Sequence, residues 1–194
     1  SAASDRACHN LDFNTMTHEE IIHVVNHYGQ SADLSVIEAN KGLYDGMALD
    51  GSDSNAALAK LTGAPVILVI DTRGITRGVA PLLLGYQAFD DDVNIAGVIL
   101  NRTGGDRHAG KLRSAVEEYT DIKVLGAVRN DPDMEIEERH LGLMPSNEVV
   151  GAPQHIQRIG ERVAEQVDLE SMADFIRPSP CDTSLLEQGG LKAF

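Results

Sequence analysis

The run Val66-Ile67-Leu68-Val69-Ile70 has no polar residue in it and is mostly β-branched. Such a strand has no wet face, and strands of this kind belong to parallel sheets covered on both sides. Two further buried strands are read over 94–100 and 123–128. Helices are read between them. One covers 76–89, with Pro81 in its first turns or at a kink. The other covers 111–119, where Leu112, Ala115, Val116 and Tyr119 fall at i, i+3, i+4 and i+7. Strand alternating with helix predicts an α/β fold built on a doubly wound, mostly parallel sheet.

The flanks are punctuated clearly. Thr17-His18-Glu19-Glu20 forms a capping box, followed by Ile21, Ile22, Val24, Val25 and Tyr28 at helical spacing, with Gly29 as the stop. A short strand is read over 34–37. Ser54 opens a helix through Leu58 and Leu61 that Gly63 closes. Ile156, Ile159, Val163 and Val167 mark a last amphipathic helix. Beyond Phe175 the periodicity stops, and Pro178, Pro180 and Leu186-Glu187-Gln188-Gly189-Gly190 read as a tail or linker. The predicted organisation is one domain over 1–174 and a tail over 175–194.

Charge narrows the function classes. The 194 residues carry 16 basic and 30 acidic side chains, a net charge of −14. No surface of this chain is rich enough in cations to neutralise a phosphate backbone, so nucleic acid and anionic membranes are not expected partners. Any anion must be caught by local donors. The cysteines, Cys8 and Cys181, show neither metal spacing nor a disulfide framework, and a reduced, cytoplasmic setting is expected. The apolar run over 64–70 is too short to span a bilayer.

Chemistry concentrates where strands end, because ligands of open α/β sheets collect at the carboxyl ends of strands. Glu38 follows the 34–37 segment, and Asp45 sits in Gly42-Leu43-Tyr44-Asp45-Gly46. Two carboxylates on a loop bent by two glycines suit a hard cation and a charged substrate. They equally suit a helix cap and a turn, and spacing leaves the two readings level. Asp71-Thr72-Arg73-Gly74 follows the 65–70 strand; Asp-x-x-Gly occurs in magnesium-holding loops but is most often a turn. Arg73 and Arg77 could grip phosphate or carboxylate, although each taken singly reads as a solvated helix start. Asn101-Arg102 ends the 94–100 strand, where an asparagine amide can pair with an adenine edge or simply cap a loop. His140 reads as structural. No zinc-type histidine pair, no Gly-x-Ser-x-Gly and no Gly-x-x-x-x-Gly-Lys-Ser/Thr phosphate loop occurs in the chain.

Taken in order, these segments resemble one family. Glu38…Gly42-Leu43-Tyr44-Asp45-Gly46, Ala59-Lys60-Leu61-Thr62-Gly63-Ala64-Pro65-Val66, Ala96-Gly97-Val98-Ile99-Leu100-Asn101-Arg102 and Glu138-Arg139-His140-Leu141-Gly142-Leu143 look like the synthetase domain of cobyrinic acid a,c-diamide synthases. These are tetrapyrrole glutamine amidotransferases related to dethiobiotin synthetase. The resemblance implies a sheet of the P-loop NTPase type. It implies amidation of a tetrapyrrole side-chain carboxylate through an acyl phosphate, with ATP and Mg2+ as cofactors. The ammonia would come from glutamine in a glutaminase domain outside this chain. By position in the family motifs, Glu38 is expected at the magnesium and phosphate, Asp45 at substrate activation, and Lys41 and Tyr44 at the substrate. Asn101 is expected at the adenine, and Pro145 in the loop closing over it.

The chain departs from the family pattern in three ways. The family's first strand, phosphate loop and second strand do not occur in these residues, nor does the glutaminase triad. The chain is therefore expected to be a fragment, inactive by itself, with a homodimer across the apolar edge that the absent strands would expose. Third, Ala39-Asn40-Lys41 replaces the family's Gly-Val-Met, which makes sirohaem or sirohydrochlorin as reasonable a substrate as cobyrinic acid. The rival class is a partition- or Min-type ATPase switch, which shares the sheet. Those proteins usually carry Asp at the Glu38 position and lack Leu-Tyr-Asp-Gly.

Overall fold

The structure, a computed structural model, describes residues 3–136, 138–139, 142–143 and 151–175. Their contacts divide them into two units, one drawn mainly from 9–66 with 91–94 and the other from 67–90 and 95–172. Pro145 and His140 lie outside the described residues.

In the first unit, α1 (His18–Gly29) and α2 (Asn55–Thr62) pack against each other. The capping box of α1 is complete. Thr17 N–H donates to Glu20 Oε2 at 2.7 Å, and Glu20 N–H donates to Thr17 Oγ1 at 3.3 Å. Ile21 is the anchor of α1, with no exposed surface. Ser54 caps α2 by accepting from Ala57 N–H at 3.1 Å, and Gly63 closes the helix.

The segment over 34–37 is not a strand. It is exposed, with Val36 81% accessible, and among the described residues no strand pairs with it. A strand exists only beside a partner that receives its backbone hydrogen bonds, however apolar its side chains.

The second unit is built on β1 (Val66–Asp71), β2 (Ile95–Thr103) and β3 (Lys123–Arg129), in that order across one parallel sheet. The α/β fold class expected from the sequence is thus borne out. Helices α3 (Val79–Phe89) and α4 (Asp106–Tyr119) make the crossovers and pack against each other. Parallel crossovers share one hand, so successive steps in one direction carry both helices to the same face. Between that face and the helices, Leu68, Ile70, Val79, Leu83, Val98, Leu100, Leu112 and Val116 are buried. Val69 points away from this core and is 60% exposed, so β1 is covered less completely than its apolar run predicts.

Two elements extend past their apolar pattern. Helix α4 starts five residues before 111, because its first turn, Asp106-Arg107-His108-Ala109-Gly110, carries no apolar stripe. Strand β2 continues through Asn101 and Arg102 to Thr103. There four residues of β2, Leu100 to Thr103, span the same length as three of β3, Ala127 to Arg129. This is a β-bulge, and Arg102 carries it in the left-handed region at φ 56°.

A 3-10 turn (Pro132–Met134) and a two-residue hairpin, β4 (Glu138–Arg139) with β5 (Gly142–Leu143), follow β3. Helices α5 (Ala152–Ala164) and α6 (Leu169–Phe175) end the described chain. The link between them lies along β3. Gly126 forms an antiparallel bridge with Val167, Ala127 N–H donates to Gln166 O at 3.3 Å, and Asp168 N–H donates to Leu125 O at 2.7 Å.

Candidate functional site

The first unit presents a compact loop over 41–54. Leu43 is its buried peg, and its carbonyl accepts from Ala56 N–H at 2.8 Å. Asn55 Nδ2 donates to both Lys41 O and Gly42 O at 3.2 Å, tying the loop's start to the first residue of α2. Asp45 N–H donates to Gly42 O at 3.1 Å, closing a turn that brings the Asp45 carboxylate against Gly42. A Cβ on Gly42 would lie 2.2 Å from Asp45 Oδ2, so this residue must be glycine while Asp45 keeps its place.

The carboxylates of Glu38 and Asp45 are both exposed, and neither has a partner among the described residues. Unpaired carboxylates on an ordered loop are available to a cation or to substrate. Among the described residues no three His, Cys, Asp or Glu side chains form a metal cage. A magnesium ion taken together with phosphates needs no cage, since it keeps waters and uses one or two carboxylates. Glu38 and Asp45, each exposed and unpaired among the described residues, could each meet that smaller demand. Lys41 is exposed beside them and Tyr44 is half-buried.

Sequence reasoning passed over Asp53, which organises the far side of this loop. Its carboxylate accepts from Met47 N–H at 2.9 Å and Ala48 N–H at 3.1 Å. The Ala48 bond, then the Met47 bond, hold its pKa below the ordinary value, with a smaller contribution from the Lys41 charge. The signal was the polar stretch over 47–53, where an Asp five and six residues after two backbone donors can satisfy both. Asp53→Ala should release the loop without unfolding α2, whose cap is Ser54. Hydrogen exchange at Met47 and Ala48 should accelerate while that at Ala57 is unchanged.

In the second unit, β1 and β2 end side by side. Thr72, fully buried, donates from both its N–H (2.9 Å) and its Oγ1 (2.8 Å) to Asn101 O. The Asn101 side chain is held too, since its Oδ1 accepts from Arg102 N–H at 2.9 Å. That bond fixes which end of the amide is oxygen. It leaves Nδ2 with no partner among the described residues, so the group offers donors to an acceptor such as a ring nitrogen. Thr103 Oγ1, buried beyond the bulge, has no partner among the described residues.

Asp71, the last residue of β1, is bonded to two arginines. Arg73 Nε lies 3.0 Å from both carboxylate oxygens, Arg73 NH2 lies 2.6 Å from Oδ2, and Arg102 NH1 lies 3.4 Å from Oδ2. Arg73 N–H also donates to Asp71 Oδ1 at 3.1 Å, so Asp-x-x-Gly here is a turn rather than a metal ligand. Arg77 lies over the Tyr119 ring, 5.0 Å from its centroid.

The Arg73 hydrogen bonds bring the Asp71 pKa from 3.8 down to about 2. A lowered folded-state value means stability that is present above the ordinary carboxylate pKa and is lost as pH falls through about 4 to 2. Asp71→Asn should flatten the acid dependence of unfolding in that window, lying below wild type at neutral pH and approaching it as pH falls towards 2. Salt should shrink the difference, because Asp71 is 43% exposed.

Three parallel strands in one sheet with crossover helices define an α/β domain. The profile of the AAA domain family matches residues 1–138, and the chain belongs to that family. Its curated relatives are the ones the motifs predict. A cobyrinate a,c-diamide synthase of Magnetococcus marinus is 42% identical over 172 residues, covering 89% of this chain and 37% of that protein. The same-named protein of Methanosarcina acetivorans is 48% identical over 147 residues, 74% of this chain and 30% of the relative. A hydrogenobyrinate a,c-diamide synthase of Thermobifida fusca is 41% identical over 187 residues, 93% and 39%. The chain therefore spans under two fifths of the length of these three relatives. No solved structure matches it.

Proposed function

We propose that this chain is part of the ATP-dependent synthetase domain of a glutamine-dependent amidase acting on tetrapyrrole carboxylates. The observation that carries the reading is the ordered loop bearing Asp45, with Glu38 three residues before its start and both carboxylates unpaired among the described residues, in a chain whose relatives are named as a,c-diamide synthases. In this reading residues 1–174 belong to the domain and 175–194 form its tail or linker. The setting is cytoplasmic; among the described residues no helix is long and apolar enough to cross a membrane.

MgATP would supply the phosphoryl group that turns a carboxylate oxygen into a leaving group, and the metal would offset the charge that moves with it. Glu38 would hold the metal and phosphate side of that transfer. Asp45 orients the substrate carboxylate, and Lys41 and Tyr44 contact the macrocycle's periphery. Asn101 Nδ2 would donate to the adenine, and Pro145, outside the described residues, is assigned to the base by its place in the family motif. Ammonia from glutamine then attacks the acyl carbon, the carbon–oxygen bond to phosphate breaks, and a proton is lost as the amide forms. Lys41 favours a second substrate reading, sirohaem or sirohydrochlorin, because its charge can pair with an additional acidic group on the macrocycle.

The test is an assay of a protein carrying this domain at the full length of its relatives, with MgATP and glutamine. Cobyrinic acid and sirohydrochlorin are offered separately, and amide products are followed by mass spectrometry. An amide formed from either, with matching release of phosphate, is expected. ATP turnover that no tetrapyrrole stimulates and that yields no amide would point to the switch ATPase class instead.

A further inference from the structure

We propose that His108 is a positioning residue: as a neutral imidazole it fastens the turn after β1 to the turn after β2 and so fixes Asn101. Gly104 N–H donates to His108 Nδ1 at 2.9 Å. A nitrogen that accepts a hydrogen bond carries no proton, so the ring hydrogen of the neutral form sits on Nε2. Nε2 lies 2.5 Å from Ile75 O, where that hydrogen is donated. Each ring nitrogen thus has one role, and the two roles fall on different loops.

The local reason is a helix start without the usual cap. Gly105 precedes α4 and has no side chain to receive the first N–H groups. His108 is the third residue of the helix and reaches back to the N–H of Gly104. The bond lands one residue before the N-cap Gly105, a step further back than the returning arm of a capping box reaches. Glutamate could accept from Gly104 but has no proton for Ile75 O. Histidine does both.

The bonds close into a ring around Asn101. Ile75 N–H donates to Thr72 O at 3.1 Å, and Thr72 donates twice to Asn101 O. From Asn101 the chain runs through the left-handed Arg102 and through Thr103 to Gly104, which returns to His108. Arg102's conformation is of the kind that persists only where its surroundings hold it. Among the described residues, His108 links α4 to the loop after β1 in this ring. Its functional consequence rests on the reading of Asn101 as the adenine donor.

The first measurement needs no variant. In the nitrogen NMR spectrum of this chain at neutral pH, His108 should show an unprotonated Nδ1 and a protonated Nε2. The opposite tautomer, or a doubly protonated ring, would overturn the proposal. Variants then separate the two bonds. Asn places its oxygen near the position of Nδ1, so His108→Asn should keep Gly104 N–H protected from hydrogen exchange. His108→Ala should lose that protection and shift the Asn101 amide resonances. If the Asn101 resonances stay in place in His108→Ala, the positioning role is wrong.

Adenosine, which needs no phosphate cradle, probes the consequence. His108→Ala should bind it roughly tenfold more weakly than the parent chain, and His108→Asn should recover much of the loss. Equal affinity in all three would overturn the link from His108 to Asn101. A parent chain that binds no adenosine would instead remove the base-recognition reading of Asn101, while the tautomer and exchange results still decide the fastening.

Discussion

Glu38→Gln should lower kcat/KM for tetrapyrrole amidation by about a hundredfold or more, roughly 2–3 kcal/mol of transition-state stabilisation, in a protein carrying this domain at full length. The substitution keeps the shape and removes only the charge. A carboxylate that holds the metal against a moving phosphoryl group acts mostly in the transition state, so kcat should fall further than KM rises. Glu38 is exposed and has no partner among the described residues, so losing its charge breaks no bond of the fold. The unfolding curve of the variant should overlay the parent's. A Glu38→Gln protein with unchanged turnover would return this residue to the cap-or-turn reading that spacing alone allowed.

Gly126→Ala is expected to be the most damaging single methyl group in the sheet. A Cβ at this position would lie 2.7 Å from Gln166 O, 2.8 Å from Val167 Cγ2 and 3.0 Å from Val167 Cα. Two of those three atoms are backbone, which cannot swing aside as a side-chain tip can. Relief requires the link between α5 and α6 to lift from β3, losing the bridge to Val167 and the bonds at Ala127 and Asp168. The expected cost is about 3 kcal/mol, near the top of the range for overpacking. Urea unfolding gives the number. Gly85→Ala is the matched control, since its Cβ would meet nothing within 4 Å inside helix α3. That variant should gain up to about 1 kcal/mol from helix propensity and a stiffer unfolded chain. If both variants behave alike, the close approach at Gly126 is not what limits the site.

The sequence was most legible where one physical signal acted alone. The capping box at Thr17, the Ser54 cap, the Gly63 stop and the three apolar strands all stand where they were read, because each depends on residues next to one another. The start of α4 was not legible, since its first turn is polar and rests on an imidazole reaching back to Gly104. The bulge at Arg102 left no mark either, because it is a property of the pairing between two strands. The 34–37 segment misled in the other direction: its side chains suit a strand, but strand formation needs a partner that a single run cannot specify. Glu38, Asp45 and Asn101 were singled out as residues near strand ends and given expected roles by their order in the family pattern. Asp53 and Asn55, which hold the loop's backbone, were missed because their partners are main-chain groups with no side-chain signature.

The link laid along β3 also governs how copies of the sheet can meet. Val167 and its neighbours occupy the outer edge of β3, while among the described residues no strand pairs with the outer edge of β1. A sheet with two free edges can add copies without end and grow into a fibre. A sheet with one edge closed has a single face to offer, and two copies joined through it leave nothing for a third. Contact through β1 would therefore be self-limiting, and the short bridge at Gly126 would act as the stopper that keeps a pair from becoming a filament.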